Sequence, residues 1–457
     1  MRVLVVGLGA TGDAVVRYVR GRGDDVTVVD DRPLDARAEY ARVEDARRAG
    51  AEVLAPADAA TVERLAVGAD LVVPSPGVPE RHVALQAALA AGVAVRSEVD
   101  LAAALTAPTD PSGPRLAAIT GTNGKTTVTT LTAAMLDASG VRSLAAGNIG
   151  LPLLDAARSR VDVVVAEVSS FQLVFTTPAF RPAAAALLNV ADDHLDWHRT
   201  FDAYARAKAR IFEHQGADDL LVFNADDPAV AALAADAPGR RVPFSVGGSA
   251  ASGFRVVDGA SGRMLVTGDG TELVALGDLT HRAPHDLANA LAAAAVALET
   301  GATIAGVRDA LRSFRGLAHR LQLVGERDGV TYFDDSKATN LHATVAAVRG
   351  FDSVVLIAGG RNKGLDLGGL AEVATRLRAA IAIGDAADEV TAALHDRVPV
   401  VTAHTMREAV RAASEIAEPG DAVLLSPACA SFDWYEGYAA RGDDFAREVA
   451  ALIGATR

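Results

Sequence analysis

The chain has 457 residues, half of them hydrophobic and 22% charged, which excludes a disordered or fibrous protein. It is too long for one ordinary core, so about three domains are expected. A net charge of −14 argues against nonspecific binding to nucleic acid or to an anionic membrane, and the single cysteine, Cys429, excludes an intramolecular disulfide framework and fits a reducing cytosol.

The first hundred residues alternate short β-branched runs (Val3–Val6, Asp25–Val29, Glu52–Leu54, Leu71–Pro74 and Ala94–Val95) with helical stretches, the first from about Thr11. That alternation predicts a parallel sheet. Between the first strand and its helix lies Gly7-Leu8-Gly9-Ala10-Thr11-Gly12, a strict G-x-G-x-x-G, and Asp30 closes the next strand. Three readings compete. The loop holds a dinucleotide with Asp30 on a ribose, making an NAD-dependent oxidoreductase; it holds another nucleotide on the same fold; or it merely packs a helix on a sheet.

Thr106–Pro114 is rich in proline and polar residues and reads as a linker. A second α/β segment follows, with strands near Leu116–Thr120, Val161–Ala166, Ala184–Asn189 and Leu220–Asn224, strand-like pieces over Gly253–Leu276, and an alanine-rich helix from about Pro284. Its first strand leads into Gly121-Thr122-Asn123-Gly124-Lys125-Thr126-Thr127. Ile119 stands where a strict Walker A loop has its first glycine, but the working parts remain. A flexible backbone can aim N–H groups at phosphate, Lys125 can reach the β/γ-phosphates, and the Thr126 hydroxyl can meet Mg²⁺.

Glu167, at the end of the strand that follows, is placed to hold that metal directly or through water. In Asn189-Val190-Ala191-Asp192-Asp193-His194, the histidine sits in a loop after a buried strand and suits ligation; His198 reads as structural. Lys208 falls on a helix read as Tyr204–Phe212. It is either a snorkelling surface cation or an amine that reacts with CO₂ to give a metal-binding carbamate.

A boundary near Gly316–His319 opens a third segment, with parallel strands at Thr331–Asp334, Ser353–Ala358, Ala380–Ile383, Val398–Val401 and Ala422–Ser426. No period of 20–50 residues recurs, so the chain is not a solenoid. No apolar run reaches membrane-spanning length; the longest, around Leu287–Leu298, is interrupted by Asn289. The start, Met-Arg and then a strand, reads as lacking a signal peptide, so a cytoplasmic location is expected.

Of the 44 basic residues only four are lysine: Lys125, Lys208, Lys337 and Lys363. Either cation serves on a solvated surface, so the survivors mark positions where a primary amine or a compact charge is required. Each lies in a motif-like segment, GTNGKTT, YARAKARIF, DDSKATN or GGRNKG.

Taken together, GTNGKTT, EVSSFQL, NVADDHLDWH, AKARIF, His319-Arg320 and DDSKATN over Asp334–Asn340 resemble the Mur ligase family across essentially the whole chain. The resemblance implies an α/β protein of three domains: a Rossmann-like UDP-sugar-binding domain over 1–108, a central P-loop ATP-binding domain over 109–317, and a Rossmann-like amino-acid-binding domain over 318–457. It implies an ATP-dependent, Mg²⁺-using ligase that joins D-glutamate to UDP-N-acetylmuramoyl-L-alanine through an acyl phosphate. Small molecules are then its partners, without nucleic acid or membrane insertion, and it is expected to be a monomer.

Carried onto matching positions, the family assigns ATP to Gly121–Thr127, Asn289, Arg320, Asp335 and Lys337, and the metal to Thr126, Glu167, His194 and a carbamylated Lys208. It assigns the UDP-sugar to Thr11, Arg32, Ser75, Pro76, Gly77 and Asn148, and D-glutamate to Thr339, Lys363, Ser431 and Tyr438. Lys125, His194 and Lys208 are the catalytic group. Three residues depart from the familiar pattern. Asp31 stands for a hydroxyl residue near uracil, Asp286 for an asparagine near adenine, and Tyr438 for a phenylalanine. A sister ligase using another amino acid, the oxidoreductase and a non-enzymatic P-loop switch are the alternatives.

Overall fold

The β-branched runs at the start of the chain become the strands of a five-stranded parallel sheet in a computed structural model, which describes residues 1–31, 37–259, 262–362 and 364–454. The strands are β1 Arg2–Val6, β2 Asp25–Val29, β3 Glu52–Leu54, β4 Leu71–Pro74 and β5 Ala94–Val95, in the order β3-β2-β1-β4-β5. Successive side chains point to opposite faces, so Val3 and Val5 join one core while Leu4 and Val6 join another. Burial on both faces is why these strands read as unbroken apolar runs.

A nine-stranded sheet follows: β6 Arg115–Thr120, β7 Ser143–Gly147, β8 Val163–Glu167, β9 Ala184–Leu187, β10 Leu220–Asn224, β11 Arg240–Ser245, β12 Phe254–Gly259, β13 Gly262–Val266 and β14 Glu272–Ala275. Their order is β14-β13-β12-β11-β10-β9-β6-β8-β7, parallel except for the antiparallel pairs of the β12-β13-β14 end. Both sheets lie in one compact unit, Met1–Val190, Trp197–Leu279 and Asp286–Phe314. A shared core explains this: Val99, Leu101 and Ala102 after the first sheet cluster with Leu116, Leu153 and Val164 of the second.

The other unit comprises Ala191–Asp196, Thr280–His285 and Arg315–Arg457. Its six strands are β15 Gln322–Arg327, β16 Val330–Asp334, β17 Val354–Gly359, β18 Leu377–Ile383, β19 Val400–Ala403 and β20 Ala422–Ala428. The order is β15-β16-β20-β17-β18-β19, parallel except for β15 against β16. Register places the carboxyl ends of β16, β20 and β17 side by side, the edge where open α/β sheets present ligand-binding loops.

Three strands escape the sequence pattern. SLAAG (β7), RRVPFS (β11) and QLVGER (β15) lack an apolar run, and pairing with a formed neighbour makes them strands. The Lys208 helix runs Phe201–Ala209 rather than Tyr204–Phe212, because the Thr200 hydroxyl caps it earlier, accepting from the Ala203 N–H at 3.1 Å. No helix among the described residues is long and apolar enough to cross a membrane.

Within the first unit, buried carboxylates join the segment after β5 to the nine-stranded sheet. Asp100 accepts from the Thr177 N–H at 2.7 Å and pairs with Arg96. Glu98, 1% exposed, accepts from the Leu154 N–H at 2.6 Å, while its other oxygen has no partner among the described residues. Burial pushes this carboxyl up from 4.5 to about 7, with the nearby Asp155 charge adding to the rise.

The native state therefore keeps a proton that the unfolded chain loses above 4.5, so stability falls as pH rises toward 7. The penalty, on the order of 3 kcal/mol, is fully present above that pH. Glu98→Gln, which removes the charge and keeps an acceptor for Leu154, should raise the melting temperature by several degrees at pH 8 and by far less at pH 5. The same gain at both values would show that ionisation of Glu98 costs nothing.

Candidate active site

The loop after β6 is closed by its own backbone chemistry. Gly124 adopts φ +82°, a left-handed conformation that glycine takes without strain, and a Cβ there would collide with the Asn289 side-chain oxygen. Asn289, on the helix Pro284–Thr300, thereby lies against the loop. Asn189 bonds the loop from the other side: its oxygen accepts from the Asn123 N–H at 2.7 Å and its amide donates to the Asn123 carbonyl at 3.1 Å. This support was not among the expected site residues, although NVADDH contains it.

Lys125 begins the helix Lys125–Ala138 and turns its Nζ back to the Gly121 and Thr122 carbonyls at 2.8 and 2.9 Å. Thr126 donates its hydroxyl to Glu167 Oε2 at 2.7 Å, and Asn148 donates its amide to Glu167 Oε1 at 3.1 Å. Glu167 is 3% exposed and ends β8. One buried carboxylate thus joins the phosphate loop to the Gly147-Asn148-Ile149-Gly150 turn. That turn comes close because Gly147, at φ +98°, leaves no side chain against the Glu167 backbone.

Lys208 is 1% exposed, donates to the Gly121 carbonyl at 2.8 Å and lies 4.4 Å from the centre of the Tyr204 ring. It is a buried group rather than a snorkelling surface cation. Tyr204 in turn places its hydroxyl 3.1 Å from that of Thr122. His198, read as structural, is buried and stacks on Phe171, with its Nε2 2.9 Å from the Ser170 hydroxyl. The Thr126 hydroxyl and Glu167 carboxylate are the hard oxygen donors that a magnesium ion takes, and their separation suits one ion.

The GLGATG loop is also built locally. Gly7 takes φ +90°, and a Cβ on Gly12 would strike the Gly7 carbonyl, so the first turn of the helix Ala10–Gly21 packs tightly on the strand end. Asp30 is buried and accepts from the Leu8 N–H at 3.1 Å. Ser75 donates to the Gly7 carbonyl at 2.8 Å and, with Pro76 and Gly77, follows β4 beside that loop. Thr11 stands in the helix's first turn. Asp31 lies 3.1 Å from His82 Nε2, and Arg32 falls outside the described residues.

In the second unit, Asp193 accepts from the Asn340 amide at 3.2 Å and precedes His194, which adopts φ 54°. His319 contacts Asp334 at 2.7 Å and directly precedes Arg320. Asp335 is buried, accepts from Ser426 at 2.9 Å and from the Leu321 N–H at 3.3 Å, and is pushed up to about 7 by burial. Lys337 sits 3.9 Å from the centre of the Tyr438 ring, an interaction phenylalanine also permits, so the tyrosine leaves it intact. Thr339 follows in the same turn, and Ser431 is buried after β20. The sheet edge thus gathers Asp335, Lys337, Thr339, Ser431 and Tyr438, while Lys363 lies outside the described residues.

Family models match the chain in three blocks: the Mur ligase MurD-like N-terminal domain over 1–97, the Mur ligase middle domain over 119–297 and the Mur ligase glutamate ligase domain over 319–429. The chain belongs to the Mur ligase family.

Among its relatives, the UDP-N-acetylmuramoylalanine–D-glutamate ligase of Desulfosudis oleivorans is 44% identical over 99% of this chain and 96% of its own. That of Frankia casuarinae is 46% identical over 99% and 94%. The solved UDP-N-acetylmuramate–alanine ligase MurC of Thermotoga maritima shares the fold with a TM-score of 0.61 over 99% of this chain and 100% of that one, at 18% identity. MurF of Acinetobacter baumannii does so at 0.59 over 99% and 93%, with 19% identity. As a Mur ligase the chain is a three-domain α/β enzyme, and its GLGATG loop does not make it an oxidoreductase.

Gly124→Ala should weaken nucleotide binding, because the new methyl group both strains the left-handed turn and displaces Asn289. Strain of about 1–2 kcal/mol predicts a rise in the KM for ATP of about ten-fold. An unchanged KM would show that the loop accommodates the methyl without moving.

Proposed function

We propose that this Mur ligase catalyses ATP-dependent amide-bond formation between the L-alanyl carboxylate of UDP-N-acetylmuramoyl-L-alanine and the amine of D-glutamate. The observation that carries the reading is the bridge through Glu167, whose two oxygens engage Thr126 of the phosphate loop and Asn148 of the substrate turn. A nucleotide phosphate and a sugar-linked carboxylate need to meet at such a point. The relatives' own name supplies D-glutamate as the amino acid.

In this reading residues 1–108 hold the UDP-sugar through Thr11, Arg32 and Ser75–Gly77, residues 109–317 hold ATP, and residues 318–457 hold D-glutamate through Thr339, Lys363, Ser431 and Tyr438. Asn289, Arg320, Asp335 and Lys337 surround the nucleotide. The substrate carboxylate attacks the γ-phosphate and gives an acyl phosphate and ADP. Positioning and charge neutralisation carry this step, through Lys125 and the N–H groups at the start of its helix. The amine of D-glutamate, relieved of a proton by His194, then attacks the acyl carbon; phosphate leaves and the amide remains.

Mg²⁺, when bound, neutralises charge on the phosphates, and Thr126, Glu167, His194 and a carbamate on Lys208 would hold it. The amines of Lys125 and Lys208 converge on the single Gly121 carbonyl. Carbamylation of Lys208 replaces that like-charge pair with an opposite-charge one. The enzyme acts as a cytoplasmic monomer on small molecules.

Phosphate release by the purified chain should require both UDP-N-acetylmuramoyl-L-alanine and D-glutamate. Release without either, or preference for another amino acid in a panel, would overturn the assignment. Lys208→Ala should lose most activity and regain part of it with added short-chain carboxylates, which can occupy the place of a carbamate. Full activity in Lys208→Arg would remove the carbamate from the mechanism, because a guanidinium cannot form one.

A further inference from the structure

The largest fully buried side chain among the described residues is Arg441, on the helix Tyr438–Gly454. No motif singled it out, and no step above uses it. Its guanidinium is 1% exposed and spends its donors on loop backbone: Nη2 on the Ser336 and Cys429 carbonyls at 2.9 and 3.1 Å, and Nη1 on that of Ala430 at 3.3 Å. Nε donates to the Ser336 hydroxyl at 2.9 Å, which itself donates to the Tyr438 carbonyl at 2.7 Å. A Cβ on Gly360 would lie 3.0 Å from Nη1, and the backbone of Arg361 exchanges two hydrogen bonds with Ala430. One planar fork therefore touches the loops that follow β16, β17 and β20. Two of these loops carry Lys337 and Ser431 next to the positions it holds, with Thr339 further along the first. The neighbouring Gly442 admits no side chain, because a Cβ there would collide with the His319–Asp334 pair.

The charge is as informative as the fork. No carboxylate lies within ion-pair distance of Arg441 among the described residues, and nearby acids are engaged elsewhere: Asp334 with His319, Asp433 with the Asp385 N–H. Burial pulls the guanidinium down to about 10, so it stays charged at neutral pH. An isolated buried cation is costly, and proteins normally pair one with a carboxylate. Asp433 and Asp334 offset part of this charge from a distance without pairing with it, so a positive potential remains behind the loops that carry Lys337 and Ser431.

Resting on the D-glutamate reading above, we propose that Arg441 is a positioning and specificity-determining residue for the acidic amino acid. It fixes the three loops with its fork, and its unpaired, only partly offset charge favours the anionic substrate. The test is steady-state kinetics of the full chain with each substrate varied in turn, on Arg441→Gln and Arg441→Lys, with thermal melting to establish folding. Arg441→Gln should raise the KM for D-glutamate by about ten-fold while the KM for ATP stays within about two-fold. Arg441→Lys keeps the charge without the fork and should raise the D-glutamate KM by only about three-fold.

A lower kcat with an unchanged D-glutamate KM would reduce Arg441 to a structural staple. Equal rises for Gln and Lys would overturn the role of charge. If the Gln variant does not melt cooperatively, the Lys variant decides: a rise confined to D-glutamate supports the proposal, and equal rises for all substrates, or none, overturn it. Wild-type turnover that needs no D-glutamate would retire the ligase reading itself, an outcome separate from any of these.

Discussion

The site of this Mur ligase depends on a buried carboxylate. Glu167 ends a central strand with almost no solvent contact, and a carboxylate in that position is costly unless its oxygens are occupied. Thr126 and Asn148 occupy them. The constraint works in both directions. The phosphate loop and the Gly147–Gly150 turn are pulled to one point. Gly147 follows from it, since its turn reaches the Glu167 backbone only without a side chain.

Within each unit, several buried polar groups are satisfied by backbone more than by one another. Lys125 and Lys208 both donate to the Gly121 carbonyl, Asn189 brackets the Asn123 peptide, and Arg441 spends its guanidinium mainly on three carbonyls. Such contacts fix the loops in place, a geometry suited to phosphoryl transfer, where positioning supplies most of the catalysis.

Much of the fold was legible in sequence for a physical reason. Strands buried on both faces must be apolar throughout, so β1, β2, β4 and β10 announce themselves, and glycines before helices mark the loops. Strands that form only by pairing, such as β7 and β15, carry no such signal. Of the sparse lysines, Lys125 and Lys208 donate to loop carbonyls in the first unit, and Lys337 lies over the Tyr438 ring in the second. The same reasoning hid Arg441. In a chain whose cations are nearly all arginine, a buried one cannot be told from a surface one by composition.

The sequence by itself determined the family, the sheet-and-helix order and the residue types of the phosphate loop, because these depend on local pattern and on motifs a few residues long. Tertiary structure decided which groups meet. That Glu167 serves Thr126 and Asn148 at once, that Lys208 is buried on the phosphate loop's carbonyl, and that one guanidinium holds the ends of separate strands follow from register and packing. Contacts between residues tens of positions apart are set by how sheets and helices close on one another, and no local pattern records them.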